Sequence, residues 1–301
     1  MKKEYEKFEW NNSIKLKDDA KVCFTITQPI ILNNELGKKR IAAMAYILIR
    51  KGLDNKLDLS LNRLVKWYGR EPNRHPSGIN GKFADTISNL KEAGYIDYSE
   101  KLKHDGAIEV EFDNDKYQEQ CNNGNTRFAV IYLDEFKKIV GYANSKNKEI
   151  SVSDDTLLLV FAYLRMMIYR RRNVLKADEI NKDNQNSHEY DIKYRQLNAP
   201  EVYNSYCSDI ANELGLTLQT FTLAVNALQE LNLIYTETLP RFRTIGEKGE
   251  EKWNTSHTLF CNTYHREGCY MLSDGEKYFK NEINNKKVKL KKYWDKIRKN
   301  D

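Results

Sequence analysis

"FADTISNLKEAGYIDY", Phe83 to Tyr98, and "FTLAVNALQELNLIYT", Phe221 to Thr236, share one plan, and that plan decides the fold. In the first stretch Phe83, Ile87, Leu90 and Ala93 recur at spacings of four, three and three, which is one face of a helix. Moving the same distance along the chain carries these four to Phe221, Val225, Leu228 and Leu231, and carries Gly94 to Asn232 and Ile96 to Ile234. Gly and Asn are the residues that best tolerate the left-handed turn after a helix end. Helix face, terminator and following strand match without a gap, so one module is present twice.

The element before each stretch matches too. "SLNRLVKWYG" puts Leu64, Val65 and Tyr68 on one face, with Ser60 as N-cap, and "SYCSDIANELG" puts Ile210, Ala211 and Leu214 on the corresponding face. Gly69 and Gly215 close them. The second copy then has the short connection "LTLQT". The first has "REPNRHPSGINGK", whose Pro72, Pro76, Gly78 and Gly81 mark a turn-rich insertion. One more apolar helix is expected upstream of each pair. The first covers about 36–51 with Ile41, Met44, Ala45 and Leu48 inward, and the second about 154–171 with Leu158, Phe161, Ala162 and Arg165 on successive turns. Strands follow at "YIDYS" and "AIEVEF" around "EKLKHDG", and at "LIYTET" and "SHTLFCNT" around "LPRFRTIGEKGEEKWN". Short strands at "KVCFTITQ" and "RFAVIYL" open the halves.

Each half therefore reads strand, helix, helix, helix, strand, turn, strand. That order is the winged helix, a helix-turn-helix with a β-hairpin attached, and the expected class is α+β with two such domains in tandem. The domains are placed at 1–120 and 121–268, the boundary falling near "QEQCNNGN". A long polar loop, 173–203, interrupts the second, and loops of that length are uncommon unless functional or disordered. Residues 269–301 read as a basic helical tail, with Ser273 as a cap and Tyr278, Phe279 and Ile283 inward.

Bulk properties bound the function. A chain of 301 residues suits two domains, and 40% hydrophobic with 31% charged residues suits a folded, soluble protein. No apolar run approaches the ~18 residues of a membrane span, and MKKEYEKFEW lacks a signal-peptide core, so a cytoplasmic protein without membrane partners is expected. Five cysteines read as free thiols rather than a disulfide framework. The net charge of +6 is concentrated: eight basic residues between Lys286 and Lys299 face Asp295 alone. Such a stretch fits either a polyanion partner or a solvated tail. Its "VKLKKYWDKI" places Leu290, Trp294 and Ile297 on one helical face, which suits docking with the lysines outward.

"DIANELGLTLQTFTLAVNALQELNLI" resembles bacterial winged-helix domains in its "LG" turn and in its closing "NLI", where Asn232 stands in place of the usual glycine. "RFAVIYLDEFKKI" followed by "LLLVFAYL" resembles the opening of winged-helix domains in replication initiators of plasmids and phages from AT-rich Gram-positive bacteria. Tandem winged helices also resemble the wider class of plasmid Rep initiators. The resemblance covers about 125–263, and the first half only through the repeat. It implies a sequence-specific binder of double-stranded DNA that initiates replication of a mobile element and engages host replication machinery. The same architecture serves a transcriptional regulator. It also serves a partition or interaction protein in which one winged helix makes a homodimer.

A recognition helix reads base edges in the major groove. Candidate readers are Gln219, Thr220, Thr222 and Asn226 on the second helix, and Asn80, Lys82, Thr86 and Asn89 on the first, with Arg74 and His75 just before it. Gln and Asn pair bidentately with adenine, and Thr touches a thymine methyl or a phosphate. Wing candidates are Lys101, Lys103 and His104 in the first copy and Arg241, Arg243, Lys248 and Lys252 in the second. Arg170, Arg171, Arg172 and Lys176 suit either a helix C-terminus or a phosphate.

Catalysis finds little support. His257, Cys261, His265 and Cys269 recur every fourth residue, but in a strand such positions lie ~13 Å apart and cannot surround one ion. Glu109, Glu111, Asp113 and Asp115 read as alternate residues of an outer strand rather than nuclease carboxylates. There is no Walker-type phosphate loop. The expectation is a protein without enzymatic activity, cofactor or metal.

Overall fold

The opening strands of the two copies pair with one another. In the computed structural model, which describes residues 22–123, 126–145, 150–168, 202–238, 242–245, 251–254 and 257–262, β1 (Cys23–Thr27) lies antiparallel to β5 (Phe128–Tyr132). Phe24 stands opposite Ile131 and Ile26 opposite Ala129, and all four are buried on one face of the ribbon. Period-two alternation thus selects the face that the core covers.

Between these strands run α1 (Gln28–Leu32), a 3₁₀ turn (Asn34–Leu36), α2 (Arg40–Arg50), β2 (Lys56–Leu59), α3 (Leu61–Trp67), α4 (Ile79–Glu92), β3 (Ile96–Asp97), β4 (Ile108–Phe112) and α5 (Asn114–Asn122). After β5 come α6 (Leu133–Asn144), α7 (Asp154–Met167), β6 (Val202–Tyr206), α8 (Cys207–Glu213), α9 (Leu218–Glu230), β7 (Ile234–Thr238), β8 (Phe242–Ile245), β9 (Glu251–Asn254) and β10 (His257–Asn262). The class is α+β with small antiparallel sheets: β2-β4-β3, β6-β10-β7 and the hairpin β8-β9 complete the set among the described residues.

The chain divides into two compact units. One comprises 15–167 and 211–231; the other comprises 1–14, 168–210 and 232–301. In the first, α7 is the centre. Eleven of its fourteen residues are buried, including Leu157 through Met166 without a break. A helix apolar on all sides must be covered on all sides, and β5, α6, α9, α1 and α2 pack on it. Of the second unit, the described part is the start of α8, the sheet β6-β10-β7 and the hairpin β8-β9.

The expected repeat holds in its local detail. Phe83, Ile87 and Leu90 are buried on α4, and Phe221, Val225 and Leu228 are buried on α9. Gly94 and Asn232 both take positive φ, 70° and 54°, so asparagine supplies the left-handed turn here. Gly69 and Gly215 end α3 and α8 alike. Arg70 N–H donates to Val65 O at 3.1 Å, and Leu216 N–H to Ala211 O at 2.8 Å, the six-to-one bond of a Schellman cap. The Ser60 hydroxyl accepts from Arg63 N–H at 3.3 Å, as expected of an N-cap.

Several boundaries differ from the expectation. Helix α2 starts at Arg40 rather than near Leu36, because Gly37 at φ 89° ends the 3₁₀ turn first. Helix α4 starts at Ile79, so "INGK" is helical rather than loop. A strand stands between the first and second helices of each copy, β2 and β6, and β6 takes up the end of the expected polar loop. The acidic run is only half strand: Asp113 is the N-cap of α5, accepting from Lys116 N–H at 2.9 Å, and Asp115 lies in its first turn. The second wing is not a plain turn but carries the hairpin β8-β9, in which Arg243 is opposite Trp253. The tail 269–301, the cluster Arg170–Lys176, His265 and Cys269 lie outside the described residues. Cys23, Cys121 and Cys207 carry free thiols. No helix among the described residues is long and apolar enough to cross a membrane.

Two charged clusters hold α7. At its N-terminus Lys39, buried to 3%, lies 3.2 Å from Asp154 and 2.8 Å from Asp155, and Arg70 lies 3.1 Å from Asp154. Burial works against ionised Asp154, but Lys39 and Arg70 outweigh it and hold the carboxyl below its ordinary value. Asp155 goes the other way: burial raises it beyond what Lys39 offsets. Near the C-terminus Arg165 meets Glu135 at 2.7 Å, and burial raises the Glu135 carboxyl despite the guanidinium.

Glu135→Ala removes the carboxylate that the buried Arg165 guanidinium meets at 2.7 Å. It should cost about 3–5 kcal/mol by urea unfolding, whereas Glu135→Leu combined with Arg165→Met should be near neutral or stabilising. Asp154 has a folded pKa below its ordinary 3.8, so its contribution is complete above that value and fades as pH falls through the depressed one. Asp155 acts in the window above 3.8, with opposite sign. Asp154→Asn should therefore flatten the stability curve below pH 3.8, read by circular dichroism during acid titration.

Candidate functional site

Most sequence candidates lie on α4, α9 and the loop between β3 and β4. The first copy is built around a polar clamp. Asn80, fully buried in the first turn of α4, accepts from Asn73 N–H at 2.8 Å and donates to Asn62 Oδ1 at 2.7 Å. Its amide also lies 3.2 Å from the His104 ring. The carbonyls of Lys103 and His104, in the loop between β3 and β4, accept from Leu61 and Asn62 N–H at 3.1 and 2.9 Å. These are donors that the start of α3 leaves without intrahelical partners. Arg74 pairs with Asp105, which also accepts from Asn62. Loop 70–78, the α3 and α4 N-termini and the wing are thus tied together.

That clamp corrects the expectation for Asn80 and Thr86. Both were placed on the outward face, and both are buried, at 0% and 1% exposed. They stand three residues either side of Phe83, so the helical period itself puts them on its face. Thr86 sits against Gly37, where an added Cβ would lie 2.7 Å from the Thr86 hydroxyl. Asn89 is half-buried and donates to Glu35 O at 2.7 Å. Lys82 is exposed on α4. His75 is exposed with Nδ1 2.8 Å from the Ser77 hydroxyl. Lys101 is exposed, and Lys103 is exposed but paired with Glu100.

The second copy keeps its polar face open. Gln219, Thr222 and Asn226 are exposed along α9, at spacings of three and four. Thr222 donates its hydroxyl to Leu218 O at 2.8 Å, which leaves the oxygen's two lone pairs as acceptors. Thr220 is half-buried, its hydroxyl 2.8 Å from that of Thr217, which caps the helix by accepting from Thr220 N–H at 3.1 Å. Arg243 lies on β8, and Arg241 is outside the described residues.

Leu218 was missed by the sequence reading. It lies three residues before Phe221 and by spacing belongs to the buried stripe. It is nevertheless 51% exposed, because it opens the helix, ahead of the packed turns. Asp105 and Glu100, which neutralise part of the wing, were missed as well; their alternation with Lys101 and Lys103 in "EKLKHD" was the available signal. Among the described residues no group of three or more His, Cys, Asp or Glu side chains could hold a metal. No protein-family profile and no curated protein matches the sequence.

The two faces make opposite demands on stability. Asn80→Ala removes the buried amide that ties Asn73, Asn62 and His104 together and should destabilise by about 1–3 kcal/mol. Asn226→Ala, on an exposed face, should change thermal unfolding little, within about 0.5 kcal/mol.

Proposed function

We propose that the chain is a sequence-specific double-stranded DNA-binding protein built from two winged-helix modules, and that it initiates replication of a plasmid, phage or other mobile element. The observation that carries this reading is the duplicated helix pair. It buries equivalent apolar residues in α4 and α9 and leaves Gln219, Thr222 and Asn226 of α9 unburied. In this reading α4 and α9 enter successive major grooves, and the wings contact phosphates through Lys101, Lys103 and Arg243. Gln219 and Asn226 read adenine edges, while Leu218 and the Thr222 methyl touch thymine methyls. An A·T-rich half-site under α9 follows, since α9 carries no arginine or lysine for guanine. Binding then recruits host replication machinery to the origin.

A second reading uses α9 for dimerisation, as in a partition or interaction protein. It is favoured by the absence of cationic residues on α9 together with its exposed Leu218.

Band-shift titration against the DNA flanking and including the protein's own coding region tests the first reading. Gln219→Ala and Asn226→Ala should each weaken the specific complex about tenfold. Lys101→Ala should weaken all duplexes alike and lower the slope of log affinity against log salt by about one. Unchanged DNA affinity in the α9 variants, with dimer dissociation by Leu218→Glu in sedimentation, would replace the first reading with the second.

A further inference from the structure

Helix α4 meets the loop between β3 and β4 where Asn80 approaches His104, and beside that contact a cleft of about 420 Å³ opens between them. That lies within the size of small-ligand sites, roughly 300–1,000 Å³. One wall is α4 itself, where Gly81, Ala84 and Ser88 lie three and four residues apart and share a face. The small side chains of Ala84 and Ser88 let the cleft reach close to the helix backbone, while the space beside Gly81 is taken by the Pro76 carbonyl. The apolar lining comes from Leu61, Leu102 and the ring of Tyr98. Lys91 lies over that ring, 4.4 Å from its centre, and holds it in place.

The charge of the cleft has one sign. Arg74 and Lys101 line it and no carboxylate does. Arg74 is balanced by Asp105, but Lys101 makes no ion pair among the described residues. Both ends of the cleft are also pre-set. The wing carbonyls of Lys103 and His104 are bonded to the start of α3, and a Cβ at Gly81 would collide with the Pro76 carbonyl, so the loop sits hard against α4. A ligand entering here orders little of the protein.

An apolar cleft with an aromatic side chain and a cationic rim is the chemistry that holds an unpaired nucleotide, base inside and phosphate at the mouth. A base in a duplex is stacked on both faces and cannot enter. We propose that this cleft binds one unstacked nucleotide unit, with the base against Tyr98 and Leu102 and the phosphate on Lys101 and Arg74. The inference rests on the DNA-binding reading and adds to it a site for a locally opened strand. The same unit could be presented by a free nucleoside monophosphate.

Fluorescence anisotropy of the full chain with a labelled oligothymidylate of about twelve residues tests it, beside a duplex of mixed sequence and competition by thymidine monophosphate. Ala84→Leu fills the slot with a good helix former, and Tyr98→Leu keeps it apolar without the ring. Each should weaken single-strand binding about tenfold or more, and by a larger factor than duplex binding. Ser88→Leu gives the same readout should Ala84→Leu unfold. Competition by the mononucleotide assigns the site to free nucleotides as well; oligonucleotide binding alone assigns it to an opened strand. Wild-type binding of the oligonucleotide that all three variants retain overturns the proposal, as does equal loss on single strand and duplex, or no binding of either probe. Duplex binding without single-strand binding sinks the cleft and leaves the DNA-binding reading standing. Cleft-dependent single-strand binding without duplex binding does the reverse.

Discussion

Helix α7 has no solvent face, and its burial is the constraint on which the larger unit depends. Each fully covered Leu, Phe or Val contributes about 1.5–3 kcal/mol relative to exposure, and α7 supplies Leu157, Leu158, Val160, Phe161 and Leu164 to one core. Covering such a helix requires neighbours on every side, and they come from both copies of the repeat: α1 and α2 from the first, β5, α6 and α9 from the second. The polar groups caught in this arrangement must be paired. Lys39 crosses from the first copy to Asp154 and Asp155, and Glu135 meets Arg165. An unpaired charge at either place would cost several kcal/mol, so the pairs lock the register of α7 rather than add much net stability.

This organisation reaches the candidate site through two routes. Tyr68, at the end of α3, packs edge-to-face on Phe83 of α4 and lies beneath the Lys39 ammonium, 4.6 Å from its ring centre. The inner face of the first helix pair is therefore continuous with the ion cluster that seats α7. Helix α9 packs on α7 directly, and its stripe that includes Phe221 and Val225 is buried. Both candidate recognition helices are positioned by the same buried element. Their outer faces differ in what remains free. In α4 the polar clamp of Asn80, Asn62 and the β3–β4 loop consumes hydrogen-bonding groups to hold loop 70–78 and the β3–β4 loop in place. In α9 Gln219 and Asn226 are exposed, and among the described residues they enter no such clamp.

Local features were legible because they rest on short-range physics. The recurrence of Phe83, Ile87 and Leu90 at Phe221, Val225 and Leu228 is a statement about helical period, and burial follows it at each of the six positions. Asn232 could be matched to Gly94 because both residue types tolerate the same backbone region, and both adopt it. Asn80 and Thr86 were misread because polarity was allowed to override angular position. On the Phe83 face a polar side chain is buried when a partner or a tight contact awaits it, and the partners of Asn80 are 7 and 18 residues away in sequence. Strand β2 was hidden for a related reason: four residues hold no periodic signal until β4 pairs with them.

The sequence by itself determined that a helix-pair module occurs twice, where each helix ends, and which apolar stripe each turns inward, since all three follow from backbone sterics and side-chain periodicity. Only the tertiary structure decided that β1 pairs with β5 across the two copies and that α7 is enclosed on all sides. It also decided which outward polar residues stay available for a partner. Those outcomes depend on contacts between residues far apart in the chain, where desolvation of one side chain is settled by the presence of another, and no local pattern carries that information.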